Sequence, residues 1–356
     1  MDPLVTTLFD CTWDLGCKFF TWLFDGYMKP KIDFEPLWNE TKVFNKIGDK
    51  PILTSQNRSS HRQEYTFTIP VGLTISDFAR NKAAIAQYLH QDQRNIRIEL
   101  VNNMATVTVY DTSKLNFEYK SYEFDYKSKE LRIPIGINLR TFDVVYWNPT
   151  SPNECHMLIG GSTGSGKSVA LNVILQYLVN RNDVELWLQD TKLVDLVEYS
   201  NCPQTKFYNE ATDYSIETVE ALRIEMTERY KYLKSKGYKN VSECNGQYKQ
   251  IFYVVEELAS FNPKDHKDFY KGLAEILAKG RAAGITVILT TQAPYAEILP
   301  GMLKNNINTI LGLKTRTQEA SKVISGEYEL LTNLRGKGHS VLLKNGEAIE
   351  MQVFNI

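Results

Sequence analysis

The chain has 356 residues, 43% hydrophobic and 12% aromatic, which is enough for two or three domains and unlike disordered, collagen-like or coiled-coil compositions. Lys plus Arg number 41 against 42 Asp plus Glu, a net charge of -1, so any nucleic-acid contact has to come from a local basic surface. Five cysteines without a secretory leader point to free thiols in a reducing cytoplasm rather than to a disulfide framework.

The stretch from Leu4 to Phe24 is rich in Leu, Phe and Trp, but Asp10, Asp14 and Lys18 interrupt it. No uncharged run therefore reaches the roughly 20 residues of a membrane span. Drawn as a helix, residues 1–28 place Asp10, Asp14, Lys18, Thr21 and Asp25 on one polar stripe of an otherwise apolar cylinder. Two readings stay open for this amphipathic helix. One is an anchor at a membrane surface, or packed with its copies in a bilayer, for which Trp13 and Trp22 are suited; the other is a helix docked on a partner or on the next domain. The mostly acidic stripe opposes attraction to anionic lipid.

Residues 29–125 read as a small α+β domain without catalytic residues. Pro30 to Lys50 carries no clear pattern, and Ser55 to His61 reads as an exposed loop. Tyr65 to Ile69 alternates as a strand, and Thr74-Ile75-Ser76-Asp77 caps a helix to about His90 with Phe78, Ile85 and Leu89 inward. Ile96, Ile98 and Leu100 alternate before Asn102-Asn103, and Ala105, Val107 and Val109 alternate after it, as in a hairpin.

From 126 to 356 the pattern becomes buried apolar strands separated by long helices, which predicts an α/β domain with a mostly parallel central sheet. The strands are Met157 to Ile159, Val184 to Leu188, Ile251 to Val255, Thr286 to Thr290 and Thr309 to Leu313. Ser168 to Val179, Ser215 to Lys236 and Asp265 to Ala283 are the helices, and Val341 to Phe354 closes as a hairpin about Asn345-Gly346.

Between the first of these strands and its helix lies Gly161-Ser162-Thr163-Gly164-Ser165-Gly166-Lys167-Ser168, with Val169 next, a match to G-x-x-x-x-G-K-[ST] in the required context. Its glycines let backbone N–H groups curl around the polyphosphate of ATP. Lys167 is expected to reach the outer phosphates and Ser168 to ligate Mg2+. The strand Ile251 to Val255 then delivers Glu256 and Glu257 at its C-terminal end, where α/β sheets bind ligands. Glu256 is expected to hold Mg2+ through water and Glu257 to polarise the attacking water as general base. Thr290-Thr291-Gln292 ends the next strand, with Gln292 as the expected γ-phosphate sensor.

These residues, in this order, resemble the FtsK/SpoIIIE family of hexameric double-stranded DNA translocases. The family's Asp-Pro-Lys strand end is similar to Asp190-Thr191-Lys192-Leu193-Val194-Asp195, and its Met-Glu-x-Arg-Tyr helix to Met226-Thr227-Glu228-Arg229-Tyr230. Its Gly-Arg-Ala-x-Gly-Ile stretch resembles Gly280-Arg281-Ala282-Ala283-Gly284-Ile285, and its Ala-Thr-Gln-Arg-Pro stretch resembles Thr290-Thr291-Gln292-Ala293-Pro294. The likeness runs from about Leu131 to the C-terminus, and residues 65 to 111 are similar to the family's adaptor domain.

The resemblance implies a RecA-like P-loop motor that forms a homo-oligomeric ring, expected as a hexamer, with ATP between subunits and duplex DNA in the pore. It implies that Arg281 acts in trans on a neighbour's γ-phosphate, and that Lys264, Lys267, Lys271 and Lys304 grip DNA phosphates. Two departures bear on the site: Glu256 stands where the family has Asp, and Ala293 where it has Arg. With no winged-helix reader expected after Ile356, the chain looks more like the short coupling ATPases of conjugative plasmids and integrative elements. Such proteins receive a DNA–protein substrate from a relaxase or replication-initiator protein and pass it to a membrane channel. The expectation is a cytoplasmic, DNA-stimulated ATP hydrolase, peripheral at the cell membrane if residues 1–28 anchor it. The alternatives are a chromosome-segregation or phage-packaging motor, or a nucleotide-gated scaffold with little hydrolysis.

Overall fold

A computed structural model describes residues 32–58, 62–110, 122–212, 214–292 and 294–355. The amphipathic helix read at 1–28 and the departure at Ala293 lie outside them, as do Cys11 and Cys17; the three described cysteines are free. No helix among the described residues is long and apolar enough to cross a membrane. The chain divides into two compact units, Met1–Lys114 and Leu115–Ile356. This division falls earlier than the boundary read at 125/126. Tyr122 stacks on Phe354 with ring centroids 4.5 Å apart and Phe124 packs edge-on against Tyr177, so residues 122–126 belong to the second unit.

The first unit is a four-stranded antiparallel sheet in the order β1-β2-β4-β3, built from β1 (Ile52–Arg58), β2 (Arg62–Thr68), β3 (Ile96–Val101) and β4 (Met104–Tyr110). Helices α1 (Glu35–Thr41), α2 (Ile75–Arg80) and α3 (Lys82–Tyr88) supply its core through Trp38, Phe78 and Ile85, which meet Tyr65, Phe67 and Val107. Strand β1 corrects the loop read at Ser55 to His61. It is an edge strand whose Ser55, Gln56, Asn57 and Arg58 bury little, so no apolar alternation marks it. The single helix read from Thr74 to His90 is two. Asn81 Nδ2 donates to the Asp77 carbonyl at 2.9 Å, taking an acceptor from the backbone ladder, and the helix breaks there. At the β3–β4 turn Asn102 and Asn103 both have positive φ, 51° and 61°, the conformation a two-residue hairpin loop requires.

The second unit is a ten-stranded mixed sheet. Its strands are β5 (Ile133–Asn138), β6 (Val144–Trp147), β7 (Met157–Gly160), β8 (Val184–Asp190), β9 (Thr205–Glu210), β10 (Gln250–Glu256), β11 (Ile285–Thr291), β12 (Thr309–Leu313), β13 (His339–Lys344) and β14 (Glu347–Val353). The order is β6-β5-β14-β13-β12-β7-β11-β10-β8-β9, with β12 through β9 parallel and the remainder antiparallel. The central parallel strands β7, β8, β10 and β11 are buried on both faces. Met157 and Ile159 join one core with α4 (Lys167–Val179), while Leu158 joins the other with α5 (Ser215–Lys236) and α6 (Lys267–Lys279). Such strands show no alternation because neither face meets water. Crossovers place β7, β11, β10 and β8 side by side, so their C-terminal ends open onto one crevice.

Candidate nucleotide site

The phosphate loop leaves β7 and enters α4 at Lys167, with Gly164 and Gly166 at φ 78° and 106°. These are left-handed values that favour glycine. A Cβ on Gly161 would stand 2.7 Å from Ser165 Oγ and 2.8 Å from Leu313 Cβ, so that position admits no side chain without movement of β12 or the loop. The loop is pinned from two sides. Ser162 donates through both its N–H and its hydroxyl to the Lys314 carbonyl, each at 2.9 Å, and Gly338 N–H donates to the Ser165 carbonyl at 2.7 Å.

Lys167 is 5% exposed, and burial lowers its pKa against the opposing charge of Glu257. Its ammonium lies 3.9 Å from Glu257 Oε2. Ser165 Oγ is buried without a hydrogen-bond partner inside the loop. A buried cation, an orphan hydroxyl and the N-terminus of a 13-residue helix make a site that fits a polyphosphate. Ser168 is exposed at the start of that helix, and with the carboxylates at the end of β10 it supplies the oxygen donors that Mg2+ takes.

The two adjacent glutamates are held differently. Glu257 has φ 58°, an uncommon value for a side-chain-bearing residue, and leaves the strand as it turns. Its N–H donates to Thr290 Oγ1 at 3.1 Å. Its carboxylate accepts from Thr291 Oγ1 at 3.1 Å and from Gln292 N–H at 3.0 Å to both oxygens. Gln292 Oε1 accepts from Thr163 Oγ1 at 2.8 Å, so Lys167, Glu257, Gln292 and the phosphate loop form one connected group. Glu256 turns to β8 instead. It accepts from Thr191 Oγ1 at 3.0 Å and pairs with Lys192, which also reaches Asp195 Oδ2 at 3.1 Å. Burial raises the Glu256 pKa although Lys192 pulls it down; Lys192 is raised because its two carboxylates outweigh its own burial.

The remaining expected site residues lie elsewhere. Arg281 precedes β11, at the end of the parallel strands opposite the phosphate loop, and is exposed with Nη1 donating to the Pro152 carbonyl at 3.0 Å. The seven residues of β11 span about 20 Å, too far for Arg281 to reach its own chain's loop. Lys264, Lys267 and Lys271 are exposed, the last two one helical turn apart on α6. Lys304 differs from these three: its ammonium donates to the Val323 carbonyl at 2.6 Å and burial lowers its pKa, so the structure turns it inward. Sequence reasoning missed the Lys192–Glu256 pair and the two backbone clamps at Lys314 and Gly338. Lys192 stood in a stretch already marked by resemblance, but a backbone carbonyl or amide leaves no trace in residue type.

Residues 114–305 match the model of the FtsK/SpoIIIE family. The chain is 29% identical over 216 residues to the DNA translocase FtsK of Staphylococcus aureus strain Mu50, covering 56% of this chain and 27% of that protein. It is 25% identical over 265 residues to the DNA translocase FtsK of Chlamydia muridarum, covering 68% of this chain and 33% of that protein. The chain thus spans about a third or less of these relatives. Among solved structures, the pCW3 conjugation coupling protein TcpA in its monomer form with ATPgS aligns at TM-score 0.60 and 21% identity, over 90% of this chain and 94% of that one. EssC (ATPases 2 and 3) of Geobacillus thermodenitrificans aligns at 0.59 and 17%, over 68% and 47%. These likenesses share the P-loop ATPase fold described above, and with its family model matched over more than half its length, the chain belongs to the FtsK/SpoIIIE family.

Proposed function

We propose that this protein is an ATP hydrolase that moves double-stranded DNA, working as a ring, most simply a hexamer, in the manner of a conjugative coupling ATPase. The observation that carries the reading is Glu257: a buried carboxylate 3.9 Å from Lys167, oriented by Gln292 N–H and Thr291, beside a phosphate loop. A carboxylate so held accepts a proton from the attacking water, while Lys167 and the loop amides hold the β- and γ-phosphates. Gln292, already hydrogen-bonded to Thr163, connects the outer phosphate to the base through its own N–H on Glu257. Mg2+, held by Ser168 with Glu256, would neutralise phosphate charge when bound.

Arg281 lies at the wrong end of β11 to serve its own site, which supports a role on the neighbouring subunit's γ-phosphate. Exposed Lys264, Lys267 and Lys271 follow the glutamates and suit contacts to a DNA backbone without base reading. The conjugative assignment is supported by the fold shared with a conjugation coupling protein. Delivery of a relaxase- or initiator-bound DNA to a membrane channel is part of the same proposal, as is an anchoring role for residues 1–28.

Steady-state ATP hydrolysis with and without long duplex DNA at low salt tests it, beside Lys167→Ala and Glu257→Gln. DNA-stimulated turnover lost in both variants is the expected result. Hydrolysis at the variants' level with DNA and assembled rings would replace the motor with a nucleotide-gated scaffold, a reading that Glu256 engaged by Lys192 favours.

A further inference from the structure

We propose that His339, at the start of β13, is a positioning residue for the phosphate loop: it latches the turn at residues 335–338, whose Gly338 amide sets the direction of the Gly166 N–H. The inference rests on reading the phosphate loop as the nucleotide site.

The turn is a strained piece of backbone. Gly336, Lys337 and Gly338 have φ 89°, 52° and 83°, three successive left-handed values of which one falls on a lysine. The carbonyls of its last three residues are all used. Gly336 O accepts from His339 N at 3.2 Å, Lys337 O from Gln352 Nε2 at 2.8 Å, and Gly338 O from Val353 N at 2.9 Å. Its entry is fixed by the imidazole, where Arg335 N–H donates to His339 Nδ1 at 3.1 Å. An Nδ1 that accepts cannot carry the proton, so the ring is the Nε2–H tautomer and donates to Glu350 Oε1 at 2.9 Å. Glu350 Oε2 lies 3.9 Å from Arg140 Nη2, and His339 itself is 4% exposed.

This turn grips the phosphate loop at one atom. Gly338 N–H donates to the Ser165 carbonyl at 2.7 Å. In a trans peptide the C=O of one residue and the N–H of the next point in opposite directions, and the described chain has no cis bond. Drawing Ser165 O toward Gly338 therefore turns Gly166 N–H the other way, to the side from which a phosphate approaches the helix N-terminus. Without an acceptor at Nδ1, Arg335 N–H loses its partner, the left-handed turn relaxes, and the amide direction is no longer fixed.

The test uses the full chain and two near-isosteric variants. In His339→Asn the amide oxygen replaces Nδ1 as acceptor; in His339→Gln the side chain reaches toward Glu350 and offers no acceptor to Arg335. ATPγS affinity by calorimetry is expected within about threefold of wild type for Asn and about tenfold weaker for Gln, the worth of one ordinary hydrogen bond. KM for ATP should rise by a similar factor in the Gln variant at nearly unchanged kcat. Melting temperatures measured without nucleotide should be alike for the two. Equal ATPγS affinity in both variants, or loss in Asn as large as in Gln, overturns the positioning role. A wild-type chain that fails to bind ATPγS overturns the nucleotide-site reading instead, so the two failures are distinct.

Discussion

The two ends of the same parallel strands solve burial in opposite ways. At the C-terminal ends, Asp190, Glu256, Glu257 and Lys167 are all buried, and each has partners. Asp190 accepts from Lys192, Leu193 and Leu196 N–H and from the Tyr208 hydroxyl, and the others form the site described above. At the N-terminal ends lie Cys155 and His156, held neutral. Burial pushes the Cys155 thiol up to about 11 and the His156 imidazole down to about 4, and His156 Nδ1 accepts from Val287 N–H at 3.0 Å. Burial alone neutralises a group, whereas burial with built partners keeps a charge ready for use. Paired charges occur at the opposite end too, Glu154 with Lys344 and Arg181 with Asp183, but among the described residues only the crevice joins them to a glycine loop at a helix N-terminus.

The sharpest way to break this contrast is Arg281, the exposed cation at the opposite end. Arg281→Ala should lower kcat by about 1,000-fold, as loss of an arginine finger does, although its own phosphate loop is intact. Mixing it with Lys167→Ala subunits should restore turnover, because each variant supplies what the other lacks. Absence of rescue, with mixed rings verified, would remove the trans role. Next, Glu257→Gln should lower hydrolysis by about 100- to 1,000-fold while ATPγS still binds, which a binding titration separates from misfolding.

For the buried groups at the N-terminal ends the effect is on stability. The folded pKa of His156 lies near 4 and the model-peptide value is 6.5, so the unfolded chain binds more protons between them. The stabilisation is complete above about pH 6.5 and is lost as pH falls toward 4, roughly 3 kcal/mol by pH 4.5. Urea unfolding at stepped pH should show this slope, and His156→Asn, whose oxygen can still accept from Val287 N–H, should flatten it. The smallest effect is expected at Lys192. Lys192→Met leaves Glu256 without its cation and should cost about 1 kcal/mol, since the lysine is about a third exposed; adding Glu256→Gln should recover most of that. No recovery in the double variant would mean that Lys192 acts through something other than Glu256.

Much of the architecture was legible because its signals are local. The five buried strands, the long helices and both Asn-bearing hairpin turns follow from apolar runs, helical period and residues that tolerate positive φ. Strand β1 was not, since an edge strand needs no apolar face; β6 and β9 are likewise half-exposed edge strands of the second sheet, and β5 joins it through distant β14. The break at Asn81 depended on one side chain choosing a backbone carbonyl over solvent.

For the site, the sequence by itself determined the chemical inventory: the glycine loop with Lys167, the paired acids Glu256 and Glu257, and Gln292. Only the tertiary structure decided how that inventory divides. Because β11 lies between β7 and β10, its end residues Thr291 and Gln292 stand between the phosphate loop and the glutamates and draw Glu257 to Lys167. β8 on the other side of β10 brings Lys192 to Glu256. Strand order is set by how helices cover two faces of a sheet and carries no local residue signature, which is why neighbours in sequence became opposites in environment.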